Sequence, residues 1–134
     1  MSPTADSTSA DFALRRIHQI AVTVRDVERA ATFYRDALGM TFLFKAPPGL
    51  AFFDCGGIRL MLSLPEGADI PPGNSIIYYG VDDIQQAHAT LSRRGVRFVT
   101  SPQLLARLPD RDVWLAEFRD SEDNVLALMS ETPH

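Results

Sequence analysis

Three side chains able to do chemistry stand out by their surroundings: Glu117, Tyr78 and Arg59. Glu117 interrupts the run Val113-Trp114-Leu115-Ala116-Glu117-Phe118, which is otherwise apolar on both faces. A carboxylate in such a run pairs, reaches solvent at an edge, or has its pKa raised by desolvation and moves protons. Tyr78 would hydrogen-bond a ligand carbonyl or act as an acid; the plainer reading is an aromatic wall with its hydroxyl in water. Arg59 would clasp a carboxylate or phosphate through two parallel N–H bonds, and an ion pair at a rim explains it as well. The lone cysteine, Cys55, sits in a turn before Gly56-Gly57. Nothing in the sequence supplies the histidine partner or lowered pKa that a thiol nucleophile wants, so Cys55 reads as inert. His134 is terminal, and His88, between Ala87 and Ala89 on a helix, is expected at the surface.

The elements that must position these groups come in two similar sets. Ile20, Val22 and Val24 alternate on a β-rich stretch, Asp26 follows as an N-cap, and Val27, Ala30, Ala31, Tyr34 and Leu38 recur at helical spacing up to the stop at Gly39. Shifted by 57, Ile77, Tyr79 and Val81 replace the strand residues, Asp83 the cap, and Ile84 and Ala87 the helix start, with Gly95 ending the helix. The ends of the halves match at a shift of 66: residues 58–63 lie over 124–129, each after a turn. Each half thus reads strand, helix, three strands. The strands fall at about 17–24, 40–45, 50–54, 58–64, 75–81, 96–100, 112–119 and 124–130, and the helices at 27–38 and 84–94. Nine extra residues in the second half, around 100–112 with Pro102 and Pro109, are expected to form a loop.

This organisation gives a leader at 1–14 and one domain at 15–134, with module one at 15–64, a Pro/Gly-rich linker at 65–74 and module two at 75–131. The 134 residues are 46% hydrophobic, enough for a sizeable core, and carry a net charge of −4. That mild acidity argues against nucleic acid as a partner, and no apolar run is long enough to span a membrane. A single cysteine fits a reducing cytoplasm.

Two motifs carry a resemblance. Gln19 to Val24, Arg25-Asp26, Phe33-Tyr34 and Leu38-Gly39 form one; Asp120-Ser121-Glu122-Asp123-Asn124 resembles an Asp-Pro-Asp-Gly-Asn turn before the last strand. Together, over residues 15–131, they resemble the vicinal oxygen chelate superfamily of glyoxalase, bleomycin-resistance and dioxygenase-like proteins. The resemblance implies an α+β fold: two tandem βαβββ modules forming a curled mixed sheet around a cleft, with helices outside. It also implies a small organic ligand in the cleft and, for many members, a homodimer.

Enzymes of the family place one metal ligand on the first and one on the last strand of each module. The corresponding residues here are Gln19, Met61, Ile76 and Ala127. Only Gln19 offers a hard donor: Met is a soft thioether, and Ile and Ala cannot ligate. His18, one residue from Gln19, would point through the sheet. No cofactor and no divalent metal at the family site are therefore expected. Alternation assigns Gln19, Thr23, Arg59, Met61, Ser63, Ile76, Tyr78 and Ala127 to the cleft, a mostly apolar lining with a few polar groups, as suits a small-molecule pocket. A plain half-buried sheet has nearly the same composition.

The first reading is a metal-free binding protein of the bleomycin-resistance kind. The alternative is a lyase or isomerase of the glyoxalase or epimerase kind, using Gln19 with non-standard ligands or acid/base groups such as Glu117 and Tyr78. A third is a domain whose cleft is filled by its own side chains and which acts in assembly.

Overall fold

The computed structural model describes residues 12–65 and 75–134. The first half runs β1 (Gln19–Thr23), α1 (Val27–Thr32), β2 (Thr41–Ala46), β3 (Leu50–Cys55) and β4 (Ile58–Ser63). The second runs β5 (Tyr78–Gly80), α2 (Ile84–Arg93), β6 (Arg97–Phe98), β7 (Gln103–Arg107), β8 (Arg111–Arg119) and β9 (Val125–Pro133). One sheet has the order β1-β4-β3-β2 and the other β5-β9-β8-β6, with β7 also paired to β8. Both sheets are mixed, because the first and last strands of each half pair in parallel and the rest antiparallel. The fold is α+β, and the permuted strand order is the same in both halves.

The duplication extends to dihedral angles. Asp26 caps α1 at φ −129°, ψ 99°, accepting from the N–H of Arg29. Asp83 caps α2 at φ −128°, ψ 99°, accepting from the N–H of Gln86. Each carboxylate satisfies a backbone donor that the first helical turn leaves without a partner. The helices pack on one face of the sheets, and a single core runs through both halves: Val24, Tyr34, Phe53, Leu60 and Leu62 join Ile84, Val96, Phe118, Leu126 and Leu128. Asp26 and Asp83 thus start both helices toward the same core.

Several expectations need correction. The helix expected over residues 27–38 is α-helical only to Thr32 and continues as a π-helical turn, Phe33–Ala37. In that turn the Leu38 N–H reaches back to the Phe33 carbonyl at 3.1 Å. The loop expected over 100–112 contains β7, whose register with β8 slips at Leu105. That bulge breaks the alternation that would have marked a strand, and Pro102 and Pro109 flank it rather than interrupt it. The strand expected at 75–81 shortens to Tyr78–Gly80, so Ile76 lies before it. His88 is not simply on the surface: its ring is half-buried, 4.3 Å from that of Phe98. Residues 1–11 of the leader and 66–74 of the linker lie outside the described residues.

The halves are joined by the turn before β9. Asp120, buried, accepts from the Tyr34 hydroxyl at 2.7 Å and from the Asn124 side-chain amide at 3.0 Å. Its other oxygen takes the backbone N–H groups of Glu122 and Asn124. From the same turn, Glu122 accepts the Arg25 N–H at 2.8 Å and pairs with Arg29, while Asn124 donates to the Thr23 carbonyl. Every one of these module-one partners lies on β1, α1, the segment between them or the turn that extends α1. Asp123 stands at φ +65°, at the glycine position of the motif that the turn resembles, and Asp is among the residues that tolerate it.

Burial, the Asp120 charge and the Asp120 hydrogen bond all push the Tyr34 hydroxyl far above its ordinary pKa. The neutral form is favoured in the folded chain, so this contribution is complete below about pH 10 and is lost as pH rises beyond it. Asp120→Ala would leave buried donors without partners, and urea denaturation should show a loss of about 3 kcal/mol or more. Tyr34→Phe should cost about 1 kcal/mol and flatten the alkaline fall in stability. A loss below about 1 kcal/mol for Asp120→Ala would mean the turn does not hold the halves together.

Candidate functional site

The sheet faces turned away from the helices carry the residues singled out by sequence. On the first sheet Gln19 pairs with Arg59, Ala21 with Met61, and Thr23 with Ser63, in parallel register. On the second sheet Tyr78 pairs with Ala127 from β5, and Glu117 pairs with Ala127 from β8. The two acid/base candidates therefore flank one alanine, two strand spacings or about 10 Å apart. Ala127 is fully buried at 0% exposure, Tyr78 is 47% exposed, and Glu117 is half-buried. The Glu117 backbone N–H is held by the Thr100 hydroxyl at 3.0 Å, and its carbonyl accepts from Val99 at 2.7 Å. Those bonds fix the strand, and the carboxylate takes no part in them. Ile76 is exposed and lies outside β5, so the structure does not bring it into the row of Tyr78, Ala127 and Glu117. Thr23 is exposed and Ser63 half-buried at the far end of the β1–β4 pair.

Both ends of the Gln19 side-chain amide have a partner. Its side-chain oxygen accepts from Arg59 Nε at 2.6 Å, and its amide nitrogen lies 3.8 Å from Met61 Sδ as a weak donor. Three of the sequence candidates thus form one small network. The Arg59 guanidinium also lies over the Phe52 ring, 5.6 Å from its centroid. Phe52 in turn stacks on Phe44 at 4.6 Å and 24°.

Sequence reasoning did not assign these two aromatics to the candidate site. Simple alternation puts Phe42 and Phe44 on one face of β2. A bulge at Leu43 shifts the register, so Phe42 pairs with Phe53 toward the core while Phe44 pairs with Phe52 on the open face. The signal available in sequence was Phe52 itself, one residue from Phe53 and so on the opposite face. Phe52 is 9% exposed despite facing outward, because Phe44 and Arg59 lie against it.

The donor set does not fit a divalent metal. Gln19 Oε1 is the one hard donor of the four family positions, and a guanidinium cation 2.6 Å away opposes a second cation there. Met61 offers a soft sulfur, and Ile76 and Ala127 are hydrocarbon. Among the described residues no three of His, Cys, Asp and Glu converge. Burial and the Asp54 charge push the Cys55 thiol pKa up, against a nucleophilic role. Tyr79 faces the core, where burial raises its pKa as well, so it is no part of the open face.

A concavity of about 470 Å³ lies on module two, lined by Tyr78, Gly80, Val81, Asp82 and residues Met129 to Pro133. Gly80 leaves open space where a Cβ would stand. Of the sequence-assigned cleft residues this hollow takes in Tyr78.

Residues 16–128 match the family model of the Glyoxalase/Bleomycin resistance protein/Dioxygenase superfamily. The chain belongs to that superfamily. It is 29% identical over 105 residues to the mitochondrial methylmalonyl-CoA epimerase of Mus musculus, a match covering 67% of this chain and 59% of that protein. The chain thus spans about three fifths of the length of that relative. The structure of lactoylglutathione lyase from Agrobacterium tumefaciens aligns with a TM-score of 0.67 at 22% identity, over 86% of this chain and 92% of that one. A superfamily member from Sphaerobacter thermophilus DSM 20745 aligns with a TM-score of 0.71 at 25% identity, over 87% and 98%. The resemblance drawn from the two sequence motifs is thereby borne out for family and fold.

Neither the Glu117 carboxylate nor the Tyr78 hydroxyl has a hydrogen-bond partner among the described residues. Glu117→Gln and Tyr78→Phe should therefore change folding stability by no more than about 0.5 kcal/mol in urea denaturation. A loss of about 2 kcal/mol for either would mark it as structural.

Proposed function

We propose that this protein binds a small organic molecule on the open faces of its two sheets, without a metal at the family position. The observation that carries this reading is the Arg59–Gln19 hydrogen bond: the only hard donor of the family set already accepts from a cation of the chain itself, and that charge opposes a metal ion there. Around it, Phe44, Phe52 and Met61 offer apolar and aromatic surface with a few polar groups, the composition of a small-molecule site.

A second reading has support of its own. Tyr78 and Glu117 flank Ala127 on one face, and a match of 29% identity connects the chain to an epimerase. On that reading the carboxylate and phenol would exchange a proton with a substrate lying over Ala127, without metal.

Homodimerisation belongs to the same proposal. Aromatic surface lends it little support: Phe53 is buried in the core, Phe42 and Trp114 pack against that core, and Phe52 is covered, which leaves Phe44 exposed. What supports it is the edge strand β7, with Leu104 and Leu105 exposed, together with exposed Leu43, Ile76 and Tyr78. No helix among the described residues is long and apolar enough to cross a membrane. A cytoplasmic site of action, suggested by the lone free cysteine, is part of the proposal.

Elemental analysis of dialysed, untagged protein should find well under one equivalent of Zn, Ni, Mn or Mg per chain, and a chelator should leave Tm unchanged. About one metal per chain, lost in Gln19→Ala, would replace this reading by the metal-enzyme one. Light scattering at micromolar concentration should give about twice the chain mass of 14.8 kDa. A monomer mass alone would remove the dimer.

A further inference from the structure

We infer that Arg59 is the anion-recognition residue of the open face, and that the ligand carries a carboxylate beside an apolar or aromatic body. This inference rests on the binding reading above and names the chemistry that the site would select.

The geometry of the guanidinium carries it. A guanidinium offers five N–H donors in a planar fork. The side edge of this one is tied down: Nε donates to Gln19 Oε1 at 2.6 Å, and the plane lies over Phe52, 5.6 Å from the ring centroid. The terminal edge, Nη1 and Nη2, has no hydrogen-bond or ion-pair partner among the described residues. That edge matches the two oxygens of a carboxylate, which it would take in bidentate fashion. Two contacts hold the long side chain in place, which lowers the ordering cost of binding.

The surroundings select the rest of the ligand. On the open face the cross-strand neighbours of Arg59 are Gln19 on β1 and Asp54 on β3. Neither is cationic, so the cross-strand neighbours add no second positive charge, and a monoanion suits Arg59 better than a phosphate dianion. Asp54 is the competing partner, and it makes no ion pair with Arg59 here. Beyond the fork, Phe52 and Met61 are directly opposed across β3 and β4, and Phe44 stacks on Phe52 while remaining 46% exposed. An apolar or aromatic body would lie against that surface with its carboxylate at Arg59.

Gln19 then has a defined task. It is a positioning residue: its oxygen turns the fork, and its amide nitrogen is held in turn by Met61 Sδ at 3.8 Å. The residue at the first family ligand position would orient a cation of the chain instead of binding a metal.

The test uses the full chain labelled with ¹³C-methyl methionine, titrated with benzoate and phenylacetate and, as neutral counterparts, benzamide and phenylacetamide. Met61 reports the proposed site, Met129 the hollow on module two, and Met40 the core side. The carboxylates should shift the Met61 methyl saturably and bind at least tenfold more tightly than the amides. Arg59→Met should abolish that preference, and Arg59→Lys, which keeps the charge and loses the fork, should cut it severalfold. Gln19→Leu should weaken the carboxylates about threefold or more while the amides change little, a split that a merely structural role would not produce.

If carboxylates and amides shift Met61 equally, the anion inference fails while the binding reading stands. If neither class moves Met61 or Met129, both fail. A response confined to Met129 also overturns the inference, because it moves the ligand to the other sheet. A double-mutant cycle closes the alternative: if Arg59→Met and Asp54→Asn destabilise alike and together add nothing, the guanidinium belongs to Asp54 and the inference is wrong.

Discussion

Everything on the open faces depends on one buried carboxylate on the other side of the sheets. Asp120 receives the Tyr34 hydroxyl, two backbone N–H groups and the Asn124 amide, and so satisfies four donors at a place shielded from water. A buried charge is tolerated when hydrogen bonds replace its hydration in this way. Its partners come from both halves, so the same group that shapes the turn before β9 also seats that turn on the π-helical extension of α1. Glu122 and Asn124 extend the joint to the N–H of Arg25, the Arg29 side chain and the Thr23 carbonyl. The end of β1 and the start of β9 are thereby tied together, and the relative placement of the two open faces follows from that tie.

The duplication supplies two copies of a scaffold, and the copies have diverged in charge. The repeat places Gln19, Arg59 and Met61 over Ile76, Val125 and Ala127. Module one keeps a polar network on its open face; module two is hydrocarbon at the matching positions. Its polar groups sit elsewhere, at Tyr78 and Glu117 on either side of Ala127. A metal shared by both modules requires donors from both, and here the donors that would come from module two are absent from the sequence itself. What remains is a fixed guanidinium on one sheet and an acid/base pair of residues on the other.

The bulge at Leu43 shows how little chain is needed to alter such a surface. One extra residue turns Phe44 from the core side to the open side while Phe42 stays inside. Phe52, Phe44 and Arg59 then cover one another, and the surface gains a stacked aromatic pair with a cation at its margin. The second bulge, at Leu105, similarly lets Leu104 and Leu105 both reach the exterior of the second sheet's edge.

Period and punctuation in the sequence determined the duplication. Alternating Ile20, Val22 and Val24, the caps at Asp26 and Asp83 and the stops at Gly39 and Gly95 are local signals, governed by side-chain direction and backbone sterics over a few residues. They were enough for the family, for most elements and for the loss of the metal donors, since identity alone disqualifies Met61, Ile76 and Ala127 as a hard ligand set. Tertiary structure decided what those local signals do not contain. Hydrogen bonds spanning 40 and 86 residues, from Arg59 to Gln19 and from Tyr34 to Asp120, depend on chain reversals that no window of sequence encloses. The bulges at Leu43 and Leu105, the π-helical turn after Thr32 and the strand β7 are set by pairing with a distant partner. Only that partner's register tells on which face Phe44 lies, or that the oxygen of Gln19 is already bound to a cation.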